Sequence, residues 1–249
     1  MRKTAFITGA NKGIGYETAR QLAARDMTVL LGARDPELGQ AAADKLRAEG
    51  ADAHFVQIDI TDEESIAAAA ARIEADFGKL DVLVNNAGIS GGLEGDGKPS
   101  SGTLATLRRV YETNVFGLVA VTNALLPLLR RAEAARIVNV SSEVGSLAGR
   151  TNPNNPLSQV VSAIPYTSSK TAVNMVTVLY AMELKDTPIK VNAANPGYTA
   201  TDLNGNSGFR TAEQSAEPSV HLATLPDDGP SGTFYGYIWG QDEYGRIEW

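Results

Sequence analysis

Thr8-Gly9-Ala10-Asn11-Lys12-Gly13-Ile14-Gly15 is the stretch that decides how this chain folds. The run before it, Thr4–Thr8, is short, apolar and β-prone, and the segment after it, Gly13–Arg25, has helical period. Glycines between a strand and a helix permit a tight turn and let the helix pack closely on the strand. They also let backbone amides approach a pyrophosphate, whose charge the helix N-terminus favours. Glycine-rich turns alone are weak signals, but strand, glycines and helix in this order point to the start of a βαβ unit.

The same alternation continues outward. Strands are predicted at Thr28–Leu31, Ala53–Gln57, Val82–Val84, Arg136–Val140, Lys190–Ala194 and Thr233–Tyr237. Helices are predicted at Pro36–Glu49, Glu63–Phe77, Leu104–Arg131 (interrupted) and Tyr166–Leu184. Thr61-Asp62-Glu63-Glu64 reads as a capping box, and Gly50 and Gly78 read as helix stops. Several strands are apolar at consecutive positions, as expected when helices cover both faces of a parallel sheet. Repeated βα units with right-handed crossovers imply an α/β fold, one doubly wound, mostly parallel sheet of about seven strands. No linker divides residues 1–249, so a single domain is expected. Loops are expected at Gly91–Gly102, Gly149–Pro165 and Asp202–Ser215. After Tyr166, Ala172, Val173, Val176 and Leu179 make one apolar face and Met175, Val178 and Met182 another, which predicts a helix buried on two sides.

Composition narrows the function classes. The net charge is -7, and Lys and Arg are scattered, which argues against nucleic acid as the partner. There is no cysteine, so disulfides and thiolate metal sites are excluded. His54 and His221 lack neighbours at metal-ligand spacing, and no metal is expected. Met1-Arg2-Lys3 precedes an apolar run that Gly9 ends too early for a signal peptide, and no segment is expected to reach membrane-spanning length. The expectation is a cytoplasmic enzyme.

A second constellation carries chemistry. Tyr166 and Lys170 stand four apart at the start of a helix and face the same way. An ammonium there would favour the phenolate and lower the tyrosine pKa, tuning a proton donor. Ser141-Ser142 follows the apolar strand Arg136–Val140, at the carboxyl edge of the sheet where ligands bind in such folds. Asn114 stands in an early turn of the long helix.

Together these residues resemble the short-chain dehydrogenase/reductase family over essentially the whole chain. The glycine turn matches its TGxxxGxG form, Asn85-Asn86-Ala87-Gly88 its NNAG motif, and Asn114, Ser142, Tyr166 and Lys170 its Asn-Ser-Tyr-Lys tetrad. The resemblance implies a Rossmann domain and favours Ser142 over Ser141. It implies that Tyr166 donates a proton to a carbonyl oxygen and that Ser142 orients that oxygen. Lys170 would hold the nicotinamide ribose and tune Tyr166, and Asn114 would fix a water linking Lys170 to solvent. Contacts to the dinucleotide would come from Gly9, Asn11, Lys12, Gly13, Ile14 and Gly15 in the first turn. Asp59 would hold the adenine and the Pro196-Gly197 turn would border the nicotinamide, with Ile60, Asn86, Ala87, Gly88, Thr199 and Thr201 as further cofactor contacts.

Cofactor choice turns on Leu31-Gly32-Ala33-Arg34. A carboxylate at this strand end would accept from a ribose 2′-hydroxyl and repel a 2′-phosphate. The family's acidic position falls on Ala33, and Arg34 can pair with a phosphate, as can Lys12. NADP(H) is therefore expected ahead of NAD(H), with Asp35 the residue that a small shift of alignment would make a ribose ligand. The closest likeness within the family is to carbonyl reductases, so the expected reaction is reversible NADPH-dependent reduction of a small-molecule ketone or aldehyde. The alternatives are an NAD-linked alcohol dehydrogenase and a non-catalytic NADP(H)-sensing regulator. Monomer and homo-oligomer both stay open.

Overall fold

The computed structural model describes residues 2–92, 96–160, 162–241 and 243–249. Residues 93–95 of the expected loop at Gly91–Gly102, and Val161 of the one at Gly149–Pro165, lie outside the described residues. Seven strands run parallel: β1 (Thr4–Thr8), β2 (Thr28–Ala33), β3 (Ala53–Gln57), β4 (Val82–Asn85), β5 (Arg136–Val140), β6 (Lys190–Asn195) and β7 (Phe234–Ile238). An eighth, β8 (Glu243–Ile247), is antiparallel to β7 at the edge and was not predicted. Only partly buried, it lacks the apolar run that marks the others. The order is β3-β2-β1-β4-β5-β6-β7-β8, so β1 and β4 flank the point where the winding reverses.

Alternate side chains of β1 feed two cores. Ala5 and Ile7 join Leu22, Leu31, Leu46 and Val220 on one face. Phe6 joins Leu30, Ile73, Leu83, Leu125 and Ile137 on the other. The first face is covered by α1 (Gly13–Ala23), α2 (Pro36–Ala48) and α8 (Ala212–Ala223). The second is covered by α3 (Glu63–Phe77), α5 (Leu118–Leu129) and α7 (Ile164–Glu183). Helix α3 is capped by the Asp62 carboxylate alone, which accepts from Glu64 and Ser65, rather than by a box from Thr61. Gly78 ends it in the left-handed region, at φ 72.

Several expectations need correction. The long helix does not break: α4 (Leu104–Tyr111) passes through a π-helical turn, Glu112–Gly117, into α5. Gly117 lets this turn approach Ile60, since a Cβ there would lie 2.5 Å from the Ile60 carbonyl oxygen. Leu104–Leu129 is also long and apolar enough to cross a bilayer, against expectation, but half of its apolar window is buried in the fold, where it packs on α3 and β4. The expected loop at Asp202–Ser215 closes as a short 3-10 turn, Asp202–Asn204, and α8 begins at Ala212. The segment Gly149–Pro165 is helical in part, between α6 (Leu147–Thr151), a 3-10 turn at Pro156–Gln159, and the first turn of α7. On α7, Val173 is buried, but Met175, Leu179 and Met182 are exposed rather than covered.

Candidate active site

Strand β1 delivers the glycine turn, whose geometry explains each glycine. Gly9 and Gly13 take φ 63 and 59, a region that side chains disfavour. Gly15 answers a different need: a Cβ there would lie 2.4 Å from Asn86 Nδ2 and 2.5 Å from the Gly9 oxygen. Asn86 braces the turn, its Nδ2 donating to the carbonyl oxygens of Thr8 and Gly9 at 2.9 and 3.1 Å. The backbone N–H groups of Asn86 and Ala87 both donate to Thr8 Oγ1 at 3.0 Å. The Asn86 side chain, expected to face a ligand, is thus committed to shaping the turn. Helix α1 starts from Lys12 with no side-chain cap, which leaves the first-turn amides, including those of Gly13, Ile14 and Gly15, for water or an anion. Asn11 and Ile14 are half-buried beside them. This cradle fits a pyrophosphate.

At the end of β2, Ala33 is buried and Arg34 is exposed, with no ion pair among the described residues. Asp35 caps α2, its carboxylate accepting from Leu38 N at 3.0 Å. Lys12 Nζ lies 2.6 Å from the Asp202 carboxylate, an exposed pair that is easily exchanged. Asp59 accepts from the N–H and hydroxyl of Thr61, which, with Arg34 nearby, hold its carboxyl below the usual range. The Ile60 side chain is buried in the core, so only its backbone is available.

The second group meets at the carboxyl ends of β5 and β6. Adjacent strand residues point oppositely, which separates the two serines. Ser141 is buried, with its hydroxyl donating to Asn174 Oδ1 at 2.5 Å. The Ser142 side chain acts on the Tyr166 phenol, favouring its ionised form. Lys170 Nζ donates to the Val140 oxygen at 2.8 Å and lies 5.6 Å from the centre of the Tyr166 ring. Burial pushes the Tyr166 phenol up to about 12, with Ser142 pulling the other way, and burial pulls Lys170 down to about 8. Burial thus sets the direction at Tyr166.

Asn114 lies in the π turn, with Oδ1 accepting from Ile89 N at 2.8 Å and Nδ2 donating to the Ile89 oxygen and to Ser169 Oγ. Its side chain is engaged by protein rather than held out for a water. A Cβ on Gly88 would lie 3.3 Å from Asn114 Oδ1 and 3.7 Å from Lys170 Nζ, so this glycine keeps the two polar groups adjacent. Beneath them, buried Asn85, Asn139, Thr122 and Thr177 link β4 and β5 to α5 and α7 by bonds of 2.9–3.0 Å.

Pro196 and Gly197, at φ 77, form the turn after β6. Thr199 is buried, its hydroxyl donating to Ser215 Oγ at 2.7 Å, so that hydroxyl serves the turn. Thr201 caps the 3-10 turn, and a Cβ on Gly13 would meet its methyl at 3.7 Å. Sequence reasoning missed three residues around this turn. Arg210 is buried, with Nε donating to the Pro196 oxygen at 3.1 Å and its guanidinium 4.1 Å above the Tyr237 ring. Asn195 and Glu143 are also buried there. An acidic residue directly after an apolar strand and a serine pair was the available signal for Glu143; Arg210 had none, because its partners are remote in sequence.

Residues 3–211 match the family model described as short chain dehydrogenase. A short-chain dehydrogenase of Penicillium roqueforti is 39% identical over 224 residues, 88% of this chain and 87% of its own. Carbonyl reductase (NADPH) 1 of Mus musculus is 34% identical over 271 aligned residues, 94% of this chain and 95% of its own. The crystal structure of NADPH-bound carbonyl reductase from chicken fatty liver has a TM-score of 0.83 at 29% identity, covering 100% of both chains. Salutaridine reductase from Papaver somniferum has a TM-score of 0.81 at 31% identity, covering 94% of this chain and 99% of its own. With the family model matching residues 3–211 and relatives spanning nearly the full length, the chain belongs to the short-chain dehydrogenase family of oxidoreductases.

Proposed function

We propose that this protein reduces a ketone or aldehyde to an alcohol, reversibly, with NADPH as reductant. The observation that carries the reading is buried Lys170, its Nζ on the Val140 oxygen and 5.6 Å from the centre of the Tyr166 ring, with Ser142 at the same strand end. When bound, the dinucleotide supplies the hydride. Tyr166, kept neutral by burial, holds the proton that a developing alkoxide requires. Ser142 orients the carbonyl oxygen, and Lys170 binds the ribose and supports proton return. Gly9, Gly13, Ile14 and Gly15 would receive the pyrophosphate on backbone amides, and Asp59 the adenine.

NADP(H) is favoured by exposed Arg34, by the commitment of Asp35 to the α2 cap, and by Lys12, which can exchange Asp202 for a 2′-phosphate. Relatives named as NADPH carbonyl reductase support the same choice. The pocket walls are assigned to the segments near 91–102, 149–165 and 202–215. Exposed Tyr198, Leu203, Phe209 and Trp239 beside the Pro196-Gly197 turn suit an apolar carbonyl compound. Cofactor oxidation followed on a carbonyl panel with NADPH and with NADH tests the proposal. Turnover with NADPH well above that with NADH is expected; tight NADPH binding without turnover on any carbonyl would refute it.

A further inference from the structure

Glu143 follows Ser142 directly, yet no step above uses it. Its side chain is only 7% exposed, and no described cation pairs with it. A buried carboxylate is costly unless hydrogen-bonded, and here dipoles supply the partners. Trp239 N donates to Oε2 at 3.1 Å, and the Asn195 side chain adds to the stabilisation of the ionised form. Glu143 N in turn donates to Asn195 Oδ1 at 3.0 Å. Asn195 extends the connection, its Nδ2 donating to the Tyr237 oxygen at 2.5 Å while Oδ1 accepts from Gly197 N at 3.4 Å. One buried cluster therefore ties the residue after Ser142 to the Pro196-Gly197 turn and to the end of β7.

We propose that Glu143 is a positioning residue: with its carboxylate held by Trp239 N–H and its backbone N–H by Asn195, it fixes Ser142 relative to the Pro196-Gly197 turn, and so aligns the carbonyl for reduction. This rests on the reductase reading above. Burial lifts the Glu143 carboxyl to about 7, against the pull of Trp239 and Asn195. The elements joined to it carry Tyr166 and Lys170 on α7, which packs on the Glu143–Gly145 turn, Tyr237 on β7, whose oxygen Asn195 holds, and Arg210 at the Pro196 oxygen. None of these contributes to that rise. Near neutrality the clamp thus alternates between an ionised state that accepts strongly from Trp239 N–H and a neutral state that accepts weakly.

Glu143→Gln keeps an acceptor oxygen but cannot titrate, and Glu143→Leu keeps the bulk but cannot accept. The experiment measures kcat against pH for both and for the unaltered protein, together with NADPH affinity by fluorescence. For the unaltered protein kcat should rise through pH about 7. The Gln variant should lose that step with cofactor affinity unchanged. The Leu variant should lose kcat by roughly tenfold, within what small misplacements of reacting groups cost. If the Leu variant fails to fold, the Gln profile decides. A Gln variant that keeps the step, or a folded Leu variant with unaltered kcat, overturns the assignment while leaving the reductase reading intact. An unaltered protein with no carbonyl turnover overturns both.

Discussion

Tyr166 and Lys170 share one face of one helix, but burial moves them apart in acidity. Tyr166 stays a neutral phenol up to about 12, whereas Lys170 loses its proton near 8. Proton supply to an alkoxide should therefore weaken as pH rises through about 8. With the rising limb near 7 assigned to Glu143, kcat for reduction should be bell-shaped, and a profile flat across the neutral range would contradict both assignments. Glu143 also predicts a stability effect. Its folded-state pKa, about 7, lies above the ordinary 4.5, so its protonated form favours folding. That contribution is fully present below pH 4.5 and is lost as pH rises through about 7. Glu143→Gln should raise Tm at alkaline pH, by up to ~3 kcal/mol in unfolding free energy, and converge with the unaltered protein in acid. At the end of β2, Arg34→Ala should lower the NADPH/NADH preference in kcat/KM by roughly tenfold or more, because a charge-assisted bond is lost for one cofactor only. An equal effect on both cofactors would remove Arg34 from the 2′-phosphate site.

The βα unit at the chain start shows why some elements were legible and others were not. Strand β1 is apolar at its centre and buried throughout, its turn is spelled in glycine, and α1 follows with a helical period. The spacing of Gly9, Gly13 and Gly15 could be read from sequence, but not the reason for Gly15, because Asn86 comes from β4's far end. Gly15→Ala should cost about 1–3 kcal/mol, as overpacking does. Thermal unfolding should show a Tm lower by several degrees together with weaker cofactor binding, and an unchanged Tm would mean that the turn yields freely. Ser142, Tyr166 and Lys170 were legible because strand end and helical spacing are local properties. Strand β8 and helix α8 were not: β8 owes its pairing to β7, and α8 begins within a polar stretch whose capping box, Thr211 with Gln214, was overlooked. The burial of Tyr166 was not legible either, since four-residue spacing predicts proximity and carries no measure of desolvation.

Across the whole molecule, the parallel sheet brings remote segments to one edge. The Asp202–Asn204 turn reaches the cofactor turn through Lys12 and the segment after β4 through Leu203, whose oxygen accepts from Ser90 Oγ at 3.1 Å. On the opposite side, the chain after Ser142 is held by the carboxyl-terminal residues, Ser146 Oγ donating to the Glu248 oxygen and Ala148 N to that of Trp249. If the 149–165 segment is a pocket wall, shortening Asn152–Leu157 should reorder activity on bulky against small ketones while the size in solution stays the same. Unaltered ranking with a monomer-to-dimer change on sizing chromatography would make it a cover for α7, whose Met175, Leu179 and Met182 are exposed. The central claim is that Tyr166 delivers the proton in carbonyl reduction, and kcat for NADPH oxidation by folded Tyr166→Phe tests it most directly. A loss of about 10²–10⁴-fold with NADPH affinity retained is the expected result. A kcat near that of the unaltered protein would contradict the account.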